Sequence, residues 1–165
     1  GEAFDKVGRV LGLPFPGGPA IDKAAQAGNP HAFQFPRAVM EDGFNFSFSG
    51  LKTAVLREAQ KYKGTLPVND VAASFQAAVV DVLVAKTGRA AEAYGATAVH
   101  LAGGVSANSA LRQAMRAQLT VPVWYPAPIL CTDNAAMIGV AAHWHFVNGR
   151  RDSLDLDVIP SLQLA

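Results

Sequence analysis

Three short stretches of the chain place flexible or small residues beside groups that can bind a ligand. In "HLAGGVSAN" (100–108) two glycines follow an apolar run and lead to Asn108. Gly103 and Gly104 lack Cβ atoms, so a nucleotide can lie against their backbone. The helix start that follows offers free N–H groups to negative charge. The Asn108 amide carries a donor and an acceptor suited to ribose or phosphate oxygens. In "FPGGPAID" (15–22) Gly17 and Gly18 stand just before another helix start, with Asp22 nearby. Asp5 reaches the same region if the first helix packs beside the second. In "CTDNAAMIG" (131–139) the Asp133 carboxylate is a candidate ligand for a hard or borderline cation.

Each stretch also has a purely structural reading, and spacing alone favours it. Gly103-Gly104 can simply turn the chain, with Ser106 capping the helix. Thr132 is a natural N-cap, which puts Asp133 in the first turn, where the helix dipole favours a carboxylate. Asp5 and Asp22 can be solvated acids around a Gly-Gly turn. The glycine pattern is neither a P-loop nor GxGxxG. Of the histidines, His143 and His145 are two apart, which points their rings to different sides of a helix, and His31 stands alone. His100 lies in an apolar strand and is expected to be a hydrogen-bonded core residue. The sequence contains no HExxH, HxxxH or Gly-x-Ser-x-Gly, and nothing around Cys131 marks a nucleophile.

The elements that must position these groups follow from periodicity. Phe4, Val7, Val10 and Leu11 predict a helix that stops at "PFPGGP", and a second short helix covers "PAIDKAAQAGNP". "FQFPRAV" (33–39) and "FNFSFSG" (44–50) read as extended. In the latter, Phe44, Phe46 and Phe48 share one face of a strand. A helix over 51–62 precedes a long one over about 71–94. The stripe of the long helix is Val71, Phe75, Ala78, Val79, Val82 and Leu83, with Gly88 as a candidate break. "TAVHLAGG" reads as a strand buried on both faces of a sheet, "SANSALRQAMRAQL" as a helix, and "VPVWYPA" as another strand. "TDNAAMIGVAAHWHFV" reads as a closing helix, whose Ala135, Ala136 and Gly139 allow close packing. The polar tail from Gly149 is expected on the surface. This helix–strand alternation is the rhythm of an α/β fold.

Composition narrows the classes. The 165 residues suit one domain or one large lobe. Half are apolar, but uninterrupted apolar runs fall far short of the roughly 20 residues that span a bilayer, and "GEAFDK" is no signal peptide. Residue 1 is not Met and is expected to arise from truncation or processing. Lys plus Arg number 14 against 13 acidic residues, so no global field draws nucleic acid, although a local basic patch stays open. The lone Cys131 excludes an internal disulfide and a Cys-cluster zinc site. A soluble cytoplasmic protein is expected.

Taken together, "GEAFDKVGRVLGLPFPGGPAIDKAA", "FSFSGLKTAV", "LAGGVSANSALR" and "CTDNAAMIG" resemble one family, in the family's order and along essentially the whole chain. It is the tRNA N6-adenosine threonylcarbamoyltransferase family, formerly described as O-sialoglycoprotein endopeptidases, and the wording of the motifs looks bacterial. The resemblance implies an α/β fold of the actin-like ATPase type, in which two RNase H-like lobes close on a nucleotide. Residues 1–165 would be the C-terminal lobe with additional helices. It implies transfer of the threonylcarbamoyl group of threonylcarbamoyl-adenylate to N6 of adenosine 37 in tRNAs that read codons starting with adenine. Asp5, Gly18 and Asp22 match family contacts to the adenylate, and Asn108 matches a substrate-binding asparagine, with Gly103 and Gly104 giving backbone access. Asp133 matches the aspartate that completes the metal site.

The resemblance also implies one divalent metal ion (iron or zinc) and an adenylate, ATP or ADP in the cleft. The implied partners are tRNA, a paralogous actin-like subunit, a P-loop ATPase subunit and the synthase that supplies the adenylate, with no membrane. One departure is large. The family's metal-binding HxxxH and its Ser-Gly-Gly phosphate loop belong to an N-terminal half and are not found here. The chain therefore looks like the C-terminal portion of a longer enzyme, expected to be inactive alone. Lys52, Arg57, Lys61 and Lys63 are candidate tRNA contacts, although a solvated helix face is the favoured account of them. The competing readings are a sugar kinase-like phosphotransferase of the same fold and a non-catalytic nucleotide-binding or scaffold lobe. Asp133 within "CTDN" argues against the scaffold, because the paralogous partner typically lacks it. Nothing supports the old protease label.

Overall fold

The computed structural model describes residues 1–38 and 43–158. They fall into two compact units, Gly1–Thr132 and Asp133–Ala165. The first carries helices α1 (Glu2–Val10), α2 (Gly17–Ala25), α3 (Ser49–Lys61), α4 (Val68–Ala93) and α5 (Ser109–Gln118). Between them run the short strands β1 (Val99–His100) and β2 (Val123–Trp124), and 3-10 turns at Gly104–Ala107 and Pro128–Leu130. The second unit holds α6 (Ala135–Val147). The expected order helix–strand–helix–strand–helix is therefore present from α4 to α6.

The first unit is organised by α4, and its burial is wider than a single stripe. Val71, Ala72, Ala73, Ser74, Phe75 and Gln76 are buried in succession. Six consecutive positions cover more than one full turn of a helix, so this part of α4 is enclosed on all sides. One side meets Phe4, Val7 and Leu11 of α1, Ile21 of α2, and Leu51 and Val55 of α3. Phe75 of this cluster is fully buried, with its ring edge-on to Phe4 at 5.2 Å between centroids. Another side of α4, Val80 and Val84, meets Leu111 and Met115 of α5. Gly88 does not interrupt the helix. By length and composition α4 could cross a membrane, yet 61% of its apolar window is buried within the protein, as in a core helix of a soluble domain.

The expected strands at 33–39 and 44–50 are not strands in the described residues (Val39 lies outside them). Rings two residues apart do meet: Phe33 stacks on Phe35 at 5.9 Å, and Phe46 on Phe48 at 6.4 Å, while Phe44 packs against Tyr94 at 5.5 Å. Among the described residues these ring pairs have no hydrogen-bonded partner strand. Lys86 of α4, buried, donates from Nζ to the Asn45 carbonyl and places its charge 5.9 Å from the Phe46 ring centre. It fastens the extended segment to the core helix.

β1 and β2 are parallel, with Val99 opposite Val123 and His100 opposite Trp124. Leu101 N–H donates to the Trp124 carbonyl at 2.8 Å. The expectation of a strand buried on both faces fails here: Val99 is half-buried and His100 is exposed, so His100 is no core histidine. Two paired residues cover too little of the strand to enclose its side chains. On α1, Glu2 pairs with Lys6 and with Lys52 of α3. The hydrogen bond from Lys6, then that from Lys52, holds its carboxyl below the usual range.

In the second unit α6 is apolar all round, and Met137, Ile138, Trp144 and Phe146 are exposed. Arg151 folds back on its end, with its guanidinium 3.7 Å from the Phe146 ring centre and Nη1 donating to the Phe146 carbonyl at 2.8 Å. Residues 149–158 are exposed, as expected of the polar tail.

The crossing of α1 and α2 requires glycine at position 17. A Cβ there would meet the Phe4 carbonyl oxygen at 2.5 Å and the Asp5 Cα at 2.7 Å, both rigid helix backbone. A Cβ at Gly18 would meet nothing within 4 Å. Gly17→Ala is therefore expected to destabilise by about 2 kcal/mol or more and Gly18→Ala by less than about 0.5 kcal/mol, measured by urea unfolding.

Candidate functional site

The site is built where the chain leaves β1 and enters α5. Gly103 takes φ +81°, the left-handed region that favours glycine. A 3-10 turn over Gly104–Ala107 follows, and only then does α5 begin. Because that turn intervenes, the expected cap is displaced from Ser106 to Asn108. The Asn108 backbone has the extended ψ of 126° that an N-cap needs, and its Oδ1 accepts from the Leu111 N–H at 2.9 Å. Ser106 lies inside the 3-10 turn and is buried. Its hydroxyl has no hydrogen-bond partner among the described residues.

The amide nitrogen of Asn108 works across two other helices. Nδ2 donates to Gln76 Oε1 of α4 at 2.7 Å and to Asp22 Oδ1 of α2 at 3.2 Å. Asp22 also receives the Ser109 hydroxyl at 2.9 Å on Oδ1 and the Ser109 N–H at 3.3 Å on Oδ2. A carboxylate thus sits against the first free N–H groups of α5, where the helix dipole favours it. Asp22 and Asn108, distant in sequence, form one network. Gln76 and Ser109 belong to it and were not singled out from the sequence. The available signal was a glutamine inside the apolar helix run "AASFQAAVV", since an amide is buried only where it is hydrogen-bonded.

Asp5 acts at the start of α2. Its Oδ1 accepts the Gly17 N–H at 2.8 Å, which satisfies one of the free donors of that helix and ties α1 to it. Asp5 and Asp22 are therefore placed along one short helix, with half-buried Gly18 between them and open space where its side chain would be. Gly104 is exposed, and a Cβ on it would make only ordinary contact with Thr132 at 3.8 Å. Conformation demands glycine at 103 but not at 104.

Arg112 ties the turn to the chain that approaches the second unit. Its Nε donates to the Ser106 carbonyl, and its Nη2 donates to the Pro126 carbonyl at 2.9 Å and to Cys131 Sγ at 3.0 Å. Its guanidinium lies 4.3 Å from the Tyr125 ring centre. Buried Cys131 is thus a packed structural thiol. The cap of α6 also differs from expectation. Asn134, not Thr132, has the extended cap conformation, and its Oδ1 accepts the Met137 N–H at 3.0 Å. Asp133 stands one residue before the cap, outside the first turn, and is exposed. It opens the second unit and is described there alone. Among the described residues no group of three His, Cys, Asp or Glu side chains could hold a metal ion. A single carboxylate does not fit a resident metal by itself.

A family model described as tRNA N6-adenosine threonylcarbamoyltransferase matches residues 1–140, a span that includes every candidate residue from Asp5 to Asp133. The chain belongs to the tRNA N6-adenosine threonylcarbamoyltransferase family. Among the relatives that carry this name, it is 53% identical over 186 residues to the protein of Thermomicrobium roseum, covering 99% of this chain and 51% of that protein. It is 53% identical over 172 residues to that of Symbiobacterium thermophilum and over 171 residues to that of Moorella thermoacetica, covering 99% of this chain and 50% of each. The chain spans about half the length of the curated relatives it matches.

In this member of the threonylcarbamoyltransferase family the network makes a stability claim independent of any ligand. Asn108→Ala removes a helix cap and leaves Gln76 Oε1 without its donor, so a loss of about 2 kcal/mol is expected in chemical unfolding. Amide exchange in the first turn of α5 should accelerate in the same variant. Unchanged exchange there would show that the network does not hold the helix.

Proposed function

We propose that this chain forms the adenylate-binding part of a tRNA N6-adenosine threonylcarbamoyltransferase. The whole enzyme would transfer the threonylcarbamoyl group of threonylcarbamoyl-adenylate to N6 of adenosine 37 in tRNAs reading codons that start with adenine. One observation carries the reading: Asp22 and Asn108, which the resemblance assigns to the same adenylate, stand 3.2 Å apart beside the Gly103 turn. The helix-rich first unit with its parallel strand pair is compatible with the actin-like ATPase fold that the family implies.

The chemistry of the groups divides the ligand between them. Carboxylates accept, so Asp5 and Asp22 suit ribose hydroxyls rather than phosphate. The backbone at Gly103-Gly104 suits the phosphate, which can approach where no side chain intervenes. The adenylate is the leaving group when the tRNA amine attacks the carbonyl of the mixed anhydride. The part of residues 1–165 is to bind and orient that anhydride, and most of the advantage in such a transfer lies in positioning. A divalent ion, iron or zinc, would polarise phosphate and carbonyl oxygens when bound. Asp133 would be its one ligand from this chain. The described residues hold no further ligand set.

Residues 1–165 alone are proposed to be inactive. ATP or ADP is proposed to occupy the same cleft as the adenylate. The proposed partners are tRNA, a paralogous actin-like subunit, a P-loop ATPase subunit and the adenylate-supplying synthase, all in the cytoplasm. The basic face of α3 is a weak claimant for tRNA, since Lys52 pairs with Glu2 and Lys61 with Glu58.

The test is transfer activity of the full-length protein against residues 1–165, read as modified adenosine in tRNA. Activity is expected only in the full-length protein. Phosphorylation of a sugar, with no modified adenosine, would favour the kinase-like alternative. In the full-length protein Asp133→Ala is expected to lower both bound metal, by elemental analysis, and transfer. Unchanged values of both would remove Asp133 from the metal site.

A further inference from the structure

We infer that Gln76 is a positioning residue that sets the direction in which Asn108 presents its amide to the adenylate. The inference rests on the proposed function for the identity of the ligand, and on geometry for the role. The Asn108 amide has two donor hydrogens and one oxygen, and its nitrogen has two acceptors in reach and its oxygen one donor. The oxygen is committed to the Leu111 N–H of α5 at 2.9 Å, which sets which end of the amide faces α5 but leaves its plane able to tilt about that bond. One hydrogen points inward to Gln76 Oε1 at 2.7 Å, in a bond buried at both ends: Asn108 is 8% exposed and Gln76 is 7% exposed. The other hydrogen is left on the side of Asp22, where the contact is longer, 3.2 Å, and only part-buried.

The two bonds have different roles. The inner one is shorter and shielded from water, and it comes from the most enclosed part of α4. The outer one is the bond a ligand oxygen can share or replace. With the inner acceptor in place, the outer N–H has a single direction, towards Asp22 and the open side of the turn. Without it, the amide plane is free to tilt and the inner hydrogen competes for Asp22. Gln76 touches no ligand in this scheme. It acts through Asn108, and through Asn108 on Asp22 and the Ser109 N–H that Asp22 receives.

The test uses the full-length protein with Gln76→Met, which keeps size but removes the acceptor, and Gln76→Glu, which restores an acceptor oxygen at the same reach. Binding of AMP is measured by calorimetry, alongside thermal midpoints and the exchange of the Asn108 side-chain amide protons by NMR. Gln76→Met is expected to weaken AMP binding by about tenfold, with Gln76→Glu recovering most of it. One Asn108 side-chain amide proton is expected to exchange slowly in the native protein, fast in the Met variant and slowly again in the Glu variant. Equal AMP affinity in native protein and the Met variant overturns the inference. So does a loss in both variants that tracks a common fall in thermal midpoint, which is the mark of a packing role. If the native protein binds no AMP, the functional reading fails. The positioning role is then decided by the amide exchange alone, and identical exchange in all three proteins overturns it.

Discussion

Phe75 is fully buried on α4, edge-on to Phe4 and surrounded by side chains from α1, α2 and α3, and the rest of the first unit depends on that enclosure. A helix buried on several sides cannot tilt or rotate to suit one neighbour without breaking contact with another, because interiors are close-packed. Everything that leans on α4 therefore inherits a fixed position. α2 and α1 are set on one side, close enough that Gly17 can carry no side chain. α5 is set on another through Leu111 and Met115.

The polar network is possible because of that apolar frame. Gln76 is next in sequence to Phe75, so the residue that fixes the core also delivers an amide to a fixed point. From there Asn108, Asp22 and Ser109 follow in one chain of hydrogen bonds that joins three helices. Buried polar groups are expensive unless satisfied, and here the apolar packing and the hydrogen bonds require the same arrangement of helices. The acceptors and the backbone turn of the candidate site are therefore held by the packing of the first unit.

Much of this was legible in the sequence. Helices α1 to α6 lie close to where the sequence places them, and Gly17-Gly18 open α2, whereas Gly103-Gly104 lead into a 3-10 turn before α5. What could not be read was set by contacts between distant segments. The Phe33–Phe35 and Phe44–Phe48 alternation does not become strand: Phe33 and Phe44 lie in bends and Ser49 already opens α3, because pairing into a sheet needs a partner that no local pattern specifies. His100 lies in an apolar run, yet its burial depends on how many strands flank it, and the two-residue pairing leaves it exposed. The caps at Ser106 and Thr132 were misplaced by two residues each, because each stretch contains a second capable cap further on. Once a 3-10 turn consumes Gly104–Ala107, Asn108 is the residue left at the helix start. Gln76 was passed over because its residue type stands out only once the helix around it is known to be buried on several sides.

Family membership extends the structure's meaning beyond its own residues, since the matched relatives are about twice as long. What residues 1–165 contribute can still be isolated: a fixed set of acceptors and a glycine turn, held by α4. The most direct measurement is hydrogen exchange of the full-length protein with and without an unreactive analogue of threonylcarbamoyl-adenylate. Slowed exchange at residues 17–22 and 103–112 upon binding is the expected result. Saturating occupancy of the analogue with exchange unchanged in both segments would contradict an adenylate site built on Asp22, Asn108 and the Gly103 turn.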